Sequence, residues 1–141
     1  MSSTAHIQSF NEQLIAEFRA NGGQTTGPFA NRPLLLLTTT GAKSGQPRTT
    51  PLVHTTDGDR LVVIASKGGA PSSPAWFHNL VANPVVTIEL GTETFQARAT
   101  VAQEPERTRL YEQQAALMPS FADYQRKTTR EIPAVILARI N

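Results

Sequence analysis

Apolar positions change their period twice along this chain. Ile7, Phe10, Leu14, Ile15 and Phe18 recur at three- and four-residue intervals, the spacing of one helix face. Ser9 followed by Glu12 predicts a capping box. Asn21-Gly22-Gly23 ends the helix, because glycine takes a left-handed cap without steric cost. A loop rich in Gly, Pro and Asn runs on to Pro33. From there the chain reads as strands: 34–40 and 48–56 are apolar and β-branched, and 61–66 follows at once. Asp57-Gly58 predicts a two-residue hairpin turn with positive φ at both positions. Residues 85–90 and 94–101 read as a second hairpin about Gly91. Residues 132–140 are apolar on both alternating faces, as in a strand covered on two sides.

Three further helices interrupt the strands. Ser73 is predicted to cap one that opens on Pro74 and runs through Trp76, Phe77, Leu80 and Val81 to Asn83-Pro84. Pro105 opens another reaching about Leu117, and a short one starts at Ser120, with Asp123 placed to complete its cap. About six antiparallel strands and four helices predict a mainly β fold, a small closed or partly open barrel with helices over its ends. At 141 residues the chain makes one domain, with the N-terminal helix and loop occupying 1–32.

Composition then removes whole classes of chemistry. The chain has no cysteine, which excludes disulfides, thiolate zinc sites, iron–sulfur clusters and cysteine nucleophiles. His6, His54 and His78 lie far apart without i+4 partners, so no metal site is expected. There is no Gly-x-Ser-x-Gly, no phosphate-loop motif and no dinucleotide fingerprint. The carboxylates fall mainly on predicted helix surfaces and turns, against a glycosidase pair. Few aromatics interleave with the basic residues, so no nucleic-acid partner is expected. The longest apolar run, 34–37, is far short of a membrane span, and no leader signal opens the chain. A soluble, cytoplasmic protein is the expectation. Without a nucleophile, metal or acid–base pair, catalysis would fall to a bound cofactor.

Charge indicates where a ligand would sit. Residues 18–88 hold Arg19, Arg32, Lys43, Arg48, Arg60 and Lys67 against only Asp57 and Asp59. Isolated cations among Gly, Ser and Thr suit a discrete anion. Gly41-Ala42-Lys43-Ser44-Gly45-Gln46-Pro47-Arg48 joins two strands, and its glycines let successive amides curl inward. The same residue types also occur in ordinary turns. Ala65-Ser66-Lys67-Gly68-Gly69 ends a strand shortly before a helix N-terminus, where free amides and the helix dipole favour anions.

The stretch 34–52, the segment 65–69 followed by Pro74-Ala-Trp-Phe-His-Asn-Leu80 and Asn83-Pro84, and Pro119-Ser-Phe-Ala-Asp-Tyr-Gln125 with Ile132-Pro133 together resemble the deazaflavin-dependent nitroreductase family. The order and spacing hold from about residue 30 to the C-terminus. The resemblance implies a split β-barrel like that of flavin-mononucleotide oxidases, binding reduced coenzyme F-420, an 8-hydroxy-5-deazaflavin whose tail carries phosphate and carboxylates. It implies hydride transfer to a small-molecule acceptor such as a quinone, enone or nitroaromatic. Carried over by position, Lys43, Ser44 and Arg48 hold the tail, Ser66, Lys67, Gly68 and Gly69 lie against the coenzyme, and Pro74, Ala75 and Trp76 line its groove. Ser66 and Tyr124 are the candidate catalytic donors. Val53, Met118 and Phe121 stand where nitroimidazole-reducing members carry tyrosines, which implies a more apolar pocket. Other readings stay open: an FMN-dependent enzyme of the same barrel, or an F-420 carrier without turnover. A monomer or homodimer is expected, and the N-terminal helix either covers the tail, packs on the barrel or touches a membrane surface.

Overall fold

The computed structural model describes residues 3–30 and 32–140, with side chains from residue 10 onward apart from Pro28. The capping box at Ser9 and the apolar position at Ile7 fall outside the described side chains. Helix α1 (Ser3–Ala20) leads into strands β1 (Leu34–Thr40), β2 (Pro47–Val53), β3 (Thr55–Asp57) and β4 (Arg60–Ile64). Helix α2 (Ala75–Ala82), strands β5 (Val85–Leu90) and β6 (Glu93–Val101), helices α3 (Glu106–Leu117) and α4 (Ser120–Arg126), and strand β7 (Ala134–Arg139) follow. Among the described residues no helix is long and apolar enough to cross a membrane.

The strands form one sheet in the order β2-β1-β5-β6-β7-β4-β3, and every neighbouring pair is antiparallel. Its two edge strands, β2 and β3, are consecutive in the chain with only His54 between them. Neighbouring Cα atoms are about 3.8 Å apart, so Val53 and Thr55 lie within about 7.6 Å. The sheet therefore has to curl until its edges meet, which makes a split barrel.

Burial follows this curl. Leu35, Leu37, Val63, Ala65, Val135 and Leu137 share one apolar cluster inside the barrel with Trp76 and Leu80 of α2. The alternate residues Val62, Ile64, Ala134 and Ile136 pack outward beneath Leu110, Tyr111 and Phe121 of α3 and α4. Leu34 and Leu36 pack on Leu14 and Phe18 of α1. Strands β1, β4 and β7 are thus covered on both faces, which explains their unbroken apolar runs. Each fully buried leucine contributes roughly 1.5–3 kcal/mol of transfer free energy.

Several local expectations need correction. The run 48–56 is two strands, not one, because the chain changes partner at His54: its amide, donating to the Pro33 carbonyl at 2.9 Å, continues the register of β2 on β1, whereas β3 pairs with β4. Seven strands result. In the next hairpin Asp57 pairs with Arg60, so Gly58-Asp59 forms the turn. Only Gly58 takes positive φ there, at 64°, as a II′ turn requires. Ser73 does not cap α2: Pro74 occupies the N-cap, and the Ser73 hydroxyl accepts from Arg130 at 3.2 Å. Pro119 takes the N-cap of α4, while Asp123 pairs with Arg126.

His54 is 7% exposed, and its Nδ1 is buried without a partner. Burial pushes its pKa below the usual histidine value, outweighing an opposing backbone hydrogen bond. The fold therefore favours the neutral ring. This contribution is complete above the unfolded pKa of about 6.5 and is lost as pH falls through the lower folded value. Between pH 8 and pH 5 the urea midpoint of the wild type should fall more steeply than that of His54→Gln. Parallel profiles would remove His54 as the acid-sensitive group.

Candidate active site

Two corners of the barrel carry the residues that the sequence singled out. The first is the β1–β2 loop. The Gly41 amide donates to the Gln46 carbonyl at 2.8 Å, and the Gly45 amide to Gly41 at 2.9 Å. The Ser44 hydroxyl oxygen accepts from the Gln46 amide at 3.1 Å, which leaves its own proton to donate outward. A Cβ on Gly41 would lie 2.4 Å from that oxygen and 3.2 Å from the Gln46 carbonyl oxygen, so a side chain there would have to displace the Ser44 hydroxyl. Asn79, buried on α2, anchors the loop: its Oδ1 accepts from the Ala42 amide at 3.0 Å, and its Nδ2 donates to Thr39 at 3.1 Å.

Two of the six cations of the basic stretch are neutralised elsewhere. Arg19 pairs with Glu89 at 2.8 Å, and Arg60 with Asp57 and Glu106. Arg109 joins them, and the two guanidinium donors hold the Asp57 carboxyl down to about 2. Lys43, Arg48 and Lys67 make no ion pair among the described residues. Lys43, Ser44 and Arg48 instead open onto a cavity of about 900 Å³, walled by Ala75, Trp76 and His78 of α2 and by Asn11, Glu12 and Ile15 of α1. The N-terminal helix thus packs on the barrel and also forms a wall of this cavity.

The second corner follows β4. Lys67, Gly68 and Gly69 take φ of 48°, 64° and 85° in succession, a left-handed run that glycine makes accessible. Arg130 ties the corner down. Its guanidinium donates to the carbonyls of Ser66 at 3.0 Å, Ala65 and Ser72 at 3.2 Å and Ala70 at 2.9 Å, and to the Ser73 hydroxyl. Gln125 holds Arg130 in turn, donating to its carbonyl at 2.7 Å while accepting from the Ile132 amide at 3.0 Å.

Ser66, Lys67, Gly68, Pro74, Trp76 and Tyr124 line a smaller cavity of about 240 Å³, closed by apolar Pro51, Leu52, Val53, Ile64, Phe29 and Phe121. No atom lies within 4 Å of a Cβ built on Gly68, so its face is open to a ligand. Gly69 serves the protein itself: a Cβ there would come within 2.8 Å of the Tyr124 carbonyl. The Tyr124 ring stands edge-on to Phe121 at 5.1 Å, with the Lys127 ammonium 5.8 Å from its centre. Neither the Ser66 nor the Tyr124 hydroxyl has a partner among the described residues. Trp76 lines both cavities, so the two adjoin at this side chain.

Of the three expected tyrosine replacements, Val53 and Phe121 face the smaller cavity. Met118 does not; it lines a separate one of about 480 Å³ with Arg32 and Leu117. Asn79 and Arg130 escaped the sequence reading. Asn79 had one signal, a polar residue beside Leu80 in an apolar helix, whereas the partners of Arg130 lie about 60 residues away.

The family model described as F420H(2)-dependent quinone reductase matches residues 12–139. The chain belongs to this family. The F420H(2)-dependent quinone reductase Rv1261c of Mycobacterium tuberculosis (strain ATCC 25618 / H37Rv) is 46% identical over 110 residues, covering 76% of this chain and 74% of that one. The solved F420-H2 dependent reductase FDR-A is 38% identical over 75% of this chain and 94% of its own, with a TM-score of 0.69. A chain solved as a domain-swapped dimer is 34% identical over 96% of this chain and 99% of its own, at a TM-score of 0.72. For this family member the resemblance drawn from the three sequence blocks, the split barrel included, holds.

The five donor contacts of Arg130 predict a large effect on its loop. Arg130→Lys keeps the charge but loses the fork, and should cost about 2 kcal/mol or more in stability. Amide exchange should accelerate most in residues 65–73. Uniform acceleration across the barrel would deny Arg130 a specific hold on this corner.

Proposed function

We propose that this chain reduces quinones with coenzyme F-420, using the single groove that meets at Trp76. The observation that carries the reading is the pairing of two unneutralised cations at one end with two unpartnered hydroxyls at the other. This arrangement fits a ligand with an anionic tail and a flat ring. Lys43 and Arg48 hold the tail by charge-assisted hydrogen bonds, with the Ser44 hydroxyl as a further donor. Ser66, Lys67 and the open face of Gly68 lie against the ring, and Pro74, Ala75 and Trp76 form the groove wall. Gly69 acts indirectly by letting the loop close on α4.

The reduced coenzyme supplies the hydride that the quinone accepts. The protein positions the acceptor, excludes water and answers the charge that appears on oxygen. Ser66 and Tyr124 each offer an O–H donor toward that oxygen, and such donors count for more in a cavity with apolar walls. Val53 and Phe121 remove polar partners from the acceptor end, which favours quinones and apolar enones over nitroaromatics. The domain-swapped dimer of a solved relative supports a homodimer here.

Lys43→Ala combined with Arg48→Ala should raise the coenzyme Kd at least about 30-fold, read from Trp76 fluorescence. Unchanged affinity in the folded double variant would refute the tail site. Tyr124→Phe should lower kcat with menadione about tenfold at unchanged coenzyme Kd. Equal kcat would leave Ser66 as the sole donor.

A further inference from the structure

The tail cavity holds a histidine with no role so far. His78 is the fourth residue of α2, exposed, and lines the same cavity as Lys43 and Arg48. It makes no hydrogen bond or ion pair among the described residues, and its one ring contact is edge-on to Phe77 at 5.7 Å. Its backbone position is fixed relative to the cations, because the adjacent Asn79 bonds both Ala42 and Thr39. The charged or titratable groups facing this cavity are Glu12 from α1, Lys43 from the loop, Arg48 from β2 and His78 itself.

We infer that His78 is a third, proton-linked contact for the anionic tail of the coenzyme. The inference rests on the placement of the tail between Lys43 and Arg48. Histidine is the side chain whose charge changes between pH 5 and 8. A polyanion seated beside Lys43, Arg48 and the ring favours the imidazolium. Tail binding therefore takes up a proton at His78, and by linkage lower pH tightens the coenzyme. His78 lines the tail cavity and not the cavity at the other corner, so the coupling is assigned to the tail.

The test measures Kd by Trp76 fluorescence from pH 8 to pH 5.5 in a buffer without phosphate. It uses wild type, His78→Gln and the Lys43→Ala/Arg48→Ala double variant, each with intact coenzyme and with the tail-less deazaflavin. From pH 8 to 5.5 the wild type should tighten about tenfold more than His78→Gln for intact coenzyme, with no such difference for the tail-less ring. In wild-type NMR spectra the His78 ring signals should titrate at higher pH in the complex than in the free protein. Parallel Kd profiles, an unmoved His78 titration, or an equal difference for the tail-less ring would each overturn the inference. If the double variant binds as well as wild type, the tail site itself falls. If that variant weakens binding while His78→Gln tracks wild type, only the role of His78 is lost.

Discussion

Strands β2 and β3 stand at opposite edges of a seven-stranded ladder, yet a single residue joins them, and peptide geometry gives that link no slack. The sheet has to roll up, and the rolling places the site. Strand β2 becomes an edge beside α2, with Arg48, Thr49 and Thr50 along one cavity and Pro51, Leu52 and Val53 along the other. Its two prolines, Pro47 and Pro51, are compatible with that place, since a strand paired on one side only has amides to spare. The same closure brings the glycine corner after β4 next to α4 and Tyr124.

Each corner is then held by one polar side chain. Asn79 binds the β1–β2 loop to α2, and Arg130 gathers the carbonyls of 65–73. This division leaves the ligand-facing groups uncommitted. Lys43 and Arg48 keep their charge, and Ser66 and Tyr124 keep their protons. At the other end of the barrel Arg60 and Arg109 spend theirs on Asp57 and Glu106.

Much of the fold was legible because β1, β4, β5 and β7 are apolar for reasons of burial that the chain records directly. The break at His54 was not, for no glycine or proline marks it (Pro51 lies inside β2); the chain changes partner there, from β1 to β4. The hairpin turn slipped by one residue because Asp57 is needed opposite Arg60. Loops and family blocks singled out Lys43, Arg48, Ser66 and Trp76, which the structure brings to the two cavities. Sequence does not say which side of a glycine is crowded, so the close approach of Gly69 to the Tyr124 carbonyl was not legible. Arg130 was invisible, since its role exists only once residues 65–73 have folded beside it.

The central claim is that one continuous groove, passing Trp76, holds the tail at one corner and the ring at the other. Intermolecular NOEs in the complex with coenzyme F-420 test it most directly. The account predicts contacts from tail protons to Lys43 and Arg48, and from ring protons to Trp76, Pro74 and Tyr124. Ring contacts to Arg32 and Leu117, or tail contacts confined to the Tyr124 cavity, would contradict it.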